Sequence, residues 1–250
     1  MDNIKDRLIV ALDVDTLEEA KGLVDKLYPV VKLFKVGSQL FTAFGPEAVK
    51  MVGAKGGKVF LDLKFYDIPQ TVYSASSSAS CIFIESSIIS TGIEQRVGET
   101  IQPAVFMMTV HVQGGKNMLE EAVKGAANKS RELNIKRPWI VGVTVLTSDK
   151  QEENTKSTVV DRAKLAKEAG LDGVVCSVHE AAAVRKACGK DFIIVTPGIR
   201  PEGAQKNDQQ RHATPAEAKK AGADFIVVGR PILEAKDPLR AAQKIIEELA

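Results

Sequence analysis

Eight short runs rich in β-branched and aromatic residues recur along the chain, and the segments between them carry helical signals. The runs are LIVALDV (8–14), LFKVG (33–37), KVFLDLKF (58–65), FMMTVHV (106–112), WIVGVTVL (139–146), GVVCSV (173–178), FIIVTPG (192–198) and FIVVGR (225–230). Thr16 with Glu19 makes a capping box, and Leu17, Ala20, Val24 and Leu27 form one apolar stripe behind it. Thr214-Pro215-Ala216-Glu217 is a second helix start, with proline at the first helical position and Gly222 as the stop. Eight strands alternating with helices in 250 residues imply a single-domain α/β fold, a (β/α)₈ TIM barrel over 1–250. A doubly wound open sheet is the alternative, but no GxGxxG follows the first strand to support it.

One segment departs from this rhythm. Between Pro69 and Phe106 the chain exceeds the needs of a βα unit by roughly a helix plus a loop. The run YSASSSASCIFIESSIISTGIEQRVGETIQP is rich in serine and shows no clear helical stripe. It is read as an atypical Ser-rich insertion after the third strand, covering 74–103.

Composition narrows the function class. An apolar share of 44% with a net charge of +2 describes a soluble globular protein with no basic excess for nucleic acid. The N-terminal MDNIKDR lacks the apolar core of a signal peptide, and runs such as WIVGVTVL are too short to span a bilayer. Cys81, Cys176 and Cys188 have no metal-like spacing and indicate no disulfide framework. The expectation is a cytoplasmic enzyme with no nucleic-acid or membrane partner.

The charged residues are placed unusually. In FLDLKFYDIPQTV (60–72), Leu61, Leu63 and Phe65 face one way, while Asp62 and Lys64 face the other. Two such charges at the end of an apolar strand are costly unless paired. Taken alone, they fit a structural ion pair as readily as a catalytic one. Asp13 closes the apolar LIVAL run and Lys35 ends the second strand, with Asp67 on the loop after the third. Functional side chains of barrels lie at these C-terminal strand ends, so the alternating Lys–Asp array favours the catalytic reading.

A second constellation lies late in the chain. TPGIRP (196–201) closes strand seven, NDQQR (207–211) follows, and VGRP (228–231) closes strand eight. Gly198 and Gly229 admit backbone N–H groups to an anion, while Arg200 and Arg230 supply forked donors. Loops after strands seven and eight commonly hold phosphate in barrels, although each motif alone is also a turn with a solvated arginine. Thr147 is a ligand contact or a turn residue. His111 more often serves as a hydrogen-bonded structural residue than as an acid or base.

The motifs ALDV, FKVG, FLDLKFYDIPQTV, VTVLTS, VTPGIRP, DQ and VVGRPI resemble, in order and position, the bacterial single-domain orotidine 5′-phosphate decarboxylases. The resemblance covers nearly all the chain except roughly 74–103. It implies metal-independent decarboxylation of orotidine 5′-monophosphate to UMP in pyrimidine biosynthesis, with no cofactor. It assigns Lys64 as the proton donor to C6, Asp62 as the carboxylate beside the departing CO₂, and Lys35 as the ribose contact that holds Asp62. Asp67 matches a residue that reaches across a homodimer, and Asp13 matches a ribose-hydroxyl ligand. Ile68, Pro69, Gln70, Thr71 and Thr147 match nucleotide-binding positions, and Arg200, Gln209, Gly229 and Arg230 match the phosphate grip. Related sugar-phosphate enzymes tend to carry a magnesium-binding Glu where Lys35 stands. The competing readings are such a Mg²⁺-dependent decarboxylase or aldolase, and a non-catalytic nucleotide-binding protein disabled by the insertion.

Overall fold

The computed structural model describes residues 4–82, 103–146, 155–201 and 213–249. Its eight strands are β1 (Leu8–Ala11), β2 (Leu33–Gly37), β3 (Lys58–Phe65), β4 (Val105–His111), β5 (Trp139–Val143), β6 (Gly173–Val175), β7 (Ile193–Thr196) and β8 (Phe225–Val228). All are parallel and paired in sequence order, and β1 pairs with β8 (Leu8 against Ile226), which closes the barrel. The open-sheet alternative therefore falls. Helices α1 (Leu17–Leu27), α2 (Ser38–Phe44), α3 (Pro46–Ala54), α4 (Pro69–Ser80) and α5 (Gly115–Glu132) follow the first four strands. Helices α6 (Thr155–Glu168), α7 (Val178–Cys188), α8 (Pro215–Lys220), α9 (Arg230–Leu233) and α10 (Pro238–Leu249) accompany the other four.

The helix signals act as expected. Thr16 accepts the N–H of Glu19, and Ala20, Val24 and Leu27 bury the stripe of α1. At α8 both halves of the capping box form between Thr214 and Glu217. Five strands (β1, β5, β6, β7 and β8) are shorter than their apolar runs, while β2 and β3 match theirs. β1 ends at Ala11 and β7 at Thr196, so Asp13 and Arg200 stand on the loops beyond, while Lys35 lies inside β2.

The expected absence of a helix after Tyr73 is corrected. Residues 74–80 belong to α4, whose buried face is Val72, Ser76, Ala79 and Ser80. An apolar stripe was missing because two of its four positions are serine. Ser80 Oγ donates to the Ser76 carbonyl at 2.7 Å, so its hydroxyl is buried with a partner inside the helix. Small side chains also admit close packing: a Cβ on Gly125 of α5 would collide with the Tyr73 carbonyl. Residues 83–102 of the expected insertion lie outside the described residues.

Two apolar cores divide the work. The larger lies between barrel and helices. The smaller fills the barrel with Ile9, Ala11, Leu33, Phe60, Met107, Val141, Ile193, Val195, Phe225 and Val227. Phe106, Trp139 and Phe225 close its N-terminal end with ring centroids 4.6–6.3 Å apart. Two ion pairs tie the same end. Arg137 grips both oxygens of Asp172 (2.6 and 2.9 Å), and Arg185 meets Asp224 at 2.6 Å. Each carboxylate also accepts a backbone N–H from the preceding strand region, Ile140 for Asp172 and Ile194 for Asp224.

Candidate active site

Strand alternation carries the interior from apolar to charged at one level. Along β1 and the loop after it the inward series runs Ile9, Ala11, Asp13; on β2, Leu33, Lys35; on β3, Phe60, Asp62, Lys64; on β4, Met107, Thr109, His111. The lower members pack in the apolar plug. One pleat higher, towards the C-terminal mouth, stand the polar groups that make the site.

Those groups touch. Lys35 Nζ lies 2.7 Å from Asp13 Oδ1 and 3.8 Å from Asp62 Oδ2, and Lys64 Nζ lies 2.8 Å from the same Asp62 oxygen. Asp62 and Lys35 are largely buried, with side chains 13% and 12% exposed, which requires each to keep its counter-charge. At an effective dielectric of 20 the two lysines attract Asp62 by about 6 and about 4 kcal/mol before solvent screening. The Coulomb terms are similar, so the hydrogen bond decides that Asp62 pairs with Lys64 while Lys35 is held by Asp13.

Backbone geometry builds this arrangement. Leu61 pairs with Met108 but Phe65 with Val110, so β3 bulges against β4 across Asp62, Leu63 and Lys64. Lys64 takes φ +51°, a left-handed conformation that a residue with a side chain holds only where its surroundings enforce it. Gly37 supplies space: a Cβ there would lie 2.8 Å from Lys35 Nζ and 3.3 Å from Asp13 Oδ1. Thr109 supplies a hydroxyl, 3.0 Å from Asp62 Oδ1 and 2.8 Å from the Lys64 backbone nitrogen. Sequence reasoning missed both residues. The signal for Thr109 was its parity, one inward position above Met107 and one below His111.

The other expected residues fall into three groups. Asp67 is exposed on the loop and accepts the N–H of Ile68 at 2.6 Å instead of joining the ion-paired array. Ile68, Pro69, Gln70 and Thr71 form the exposed start of α4 beside it. Gly229 does meet the array, since a Cβ on it would sit 3.6 Å from Ala11 Cβ and 3.9 Å from Asp13 Oδ2. This brings the end of β8, with Arg230 opening α9, against the loop after β1. Arg200 is 6% exposed, and its N–H bonds the Ala213 carbonyl at 2.9 Å. Thr147 and Gln209 lie outside the described residues. His111 closes β4 with its ring 5.8 Å from that of Tyr66.

Such a site presents an ammonium, one-third exposed, beside a buried carboxylate and a second ammonium. It can deliver a proton to a carbon bearing negative charge while opposing a second anion next to Asp62. A sequence model described as the orotidine 5′-phosphate decarboxylase / HUMPS family matches residues 6–245. The chain belongs to this family. An orotidine 5′-phosphate decarboxylase of Moorella thermoacetica is 44% identical over 98% of this chain and 92% of its own length. That of Syntrophotalea carbinolica is 46% identical over 98% and 95%. The crystal structure of orotidine 5′-phosphate decarboxylase from Lactobacillus acidophilus superposes with a TM-score of 0.78 at 34% identity, covering 98% of this chain and 99% of that one.

Proposed function

We propose that this chain decarboxylates orotidine 5′-monophosphate to UMP without a metal. The observation that carries the reading is the contiguous Asp13–Lys35–Asp62–Lys64 array at the barrel mouth. In the reaction, the bond from C6 to the carboxylate breaks, CO₂ leaves, and the electron pair remains at C6. Lys64 stabilises that charge and gives C6 a proton, then regains one from solvent. Asp62 holds the Lys64 ammonium in place and faces the departing carboxylate. Lys35 and Asp13 bind the ribose hydroxyls, and Arg200, Gln209, Gly229 and Arg230 take the phosphate, whose binding energy supports catalysis at a distance.

Metal independence is supported by Lys35, whose ammonium lies between Asp13 and Asp62 where a divalent cation would need oxygen donors. Asp67, exposed on the loop, bonded to the Ile68 N–H and flanked by the exposed Tyr66 and Ile68 (61% and 67%), supports a homodimer that shares this carboxylate between sites. A cytoplasmic setting is part of the same reading; no helix among the described residues is long and apolar enough to cross a membrane. The test is ultraviolet-monitored conversion of orotidine 5′-monophosphate in excess EDTA. Undiminished conversion is expected. Activity that disappears in EDTA and returns with Mg²⁺ would replace this reading with a metal-dependent one.

A further inference from the structure

Thr109 is fully buried on β4, and its one hydroxyl meets two parts of the β3 bulge. It donates to Asp62 Oδ1 at 3.0 Å and accepts the backbone N–H of Lys64 at 2.8 Å. A hydroxyl has a single hydrogen, so giving it to Asp62 leaves a lone pair for the Lys64 N–H. The two bonds are mutually consistent and fix the direction of both. Lys64 needs this support because its backbone sits at φ +51° where β3 has left register with β4. Asp62 gains a second restraint: Oδ2 takes the Lys64 ammonium while Oδ1 takes Thr109, so its carboxylate plane is set from both sides.

We propose that Thr109 is a positioning residue for the decarboxylation, locking the Lys64 backbone and the Asp62 carboxylate to one oxygen so that ammonium and carboxylate meet the substrate at a fixed separation. The inference rests on the activity proposed above. Both hydrogen bonds of the Thr109 hydroxyl go to Asp62 and Lys64, the residues assigned to the chemical step, so its work falls on that step and not on affinity.

Three proteins test this: the parent, Thr109→Val, which keeps shape but removes donor and acceptor, and Thr109→Ser, which restores both. Steady-state kinetics with orotidine 5′-monophosphate are paired with calorimetric UMP binding and thermal unfolding. Thr109→Val is expected to lower kcat roughly 100-fold, as a misplaced reacting group does, with KM and the UMP Kd within about threefold. Thr109→Ser is expected to keep kcat within about threefold of the parent. Should Thr109→Val not fold, Thr109→Ala carries the same comparison with less bulk. Parental kcat in the Val variant would overturn the inference, as would a loss confined to KM, or a Ser variant as impaired as Val. A UMP-binding parent that leaves orotidine 5′-monophosphate unchanged would overturn the activity reading itself; an active parent equalled by Val would overturn only the role of Thr109.

Discussion

At the base of the barrel, Asp172 takes both arms of Arg137 and the N–H of Ile140, while Asp224 takes Arg185 and the N–H of Ile194. At the mouth, Asp62 takes Lys64, the hydroxyl of Thr109 and, at 3.8 Å, Lys35. Acid and base meet at both ends, but their partners differ. Arginine at the base spends its planar fork on a matching carboxylate and on nearby carbonyls; Arg185 also donates to those of Gly189, Lys190, Phe192 and Gly222. Lysine at the mouth is a point charge with three donors, and Lys64 commits one to Asp62. The base therefore turns its arginine donors onto protein acceptors. The mouth keeps donor capacity for a ligand and accepts a strained Lys64 backbone to do so.

The comparison breaks most sharply at Lys64. Lys64→Ala should cut kcat by at least about 1000-fold, the combined scale of lost proton donation and lost charge stabilisation. Its unfolding temperature should stay close to the parent's, because removing this side chain leaves Asp62 with Lys35 and Thr109. A large fall in melting temperature with modest kinetic loss would make the array structural, like the base.

Asp172→Asn probes the opposite end. A fully buried pair that loses one partner costs roughly 3–5 kcal/mol. Arg137 and Asp172 keep 28% and 19% side-chain exposure, so the expected loss is smaller. We expect about 2 kcal/mol, read as a melting-temperature drop of about 4–8 °C, with kcat of the folded protein unchanged. Reduced kcat at full occupancy of the folded state would show that the base is coupled to the mouth.

The smallest expected effect sharpens the picture within the mouth. Gly37→Ala places a methyl 2.8 Å from Lys35 Nζ, and the flexible lysine end is what yields. A roughly tenfold lower kcat/KM with little change in melting temperature is expected from a displaced Lys35. Parental kinetics would mean that the Lys35–Asp13 contact is dispensable.

Much of this was legible in the chain, for identifiable reasons. The eight apolar runs report strands because a pleated strand buried in a barrel must be apolar locally, and Thr214 with Glu217 reports a helix start within four residues. Asp62 and Lys64 were visible as a pair because their separation of two puts them on one face. The helix through Ser80 was hidden because its buried face includes serines. Thr109 was hidden because a threonine in an apolar strand is unexceptional until its neighbour across the ladder is known. The Asp172 and Asp224 clamps were hidden likewise, since their arginines lie 35 and 39 residues away.

By itself the sequence determined the alternation of strands and helices, and which charged residues share one face in or just beyond the early strands, because both are written in short-range periodicity. Tertiary structure alone decided that Asp13 and Lys35, 22 residues apart, meet at 2.7 Å. It also decided that Asp62 chooses Lys64 over Lys35, and that β3 bulges to turn Lys64 left-handed beneath the Thr109 hydroxyl. The physical reason is that barrel closure and strand register are set by all eight strands together, and no window of sequence contains them.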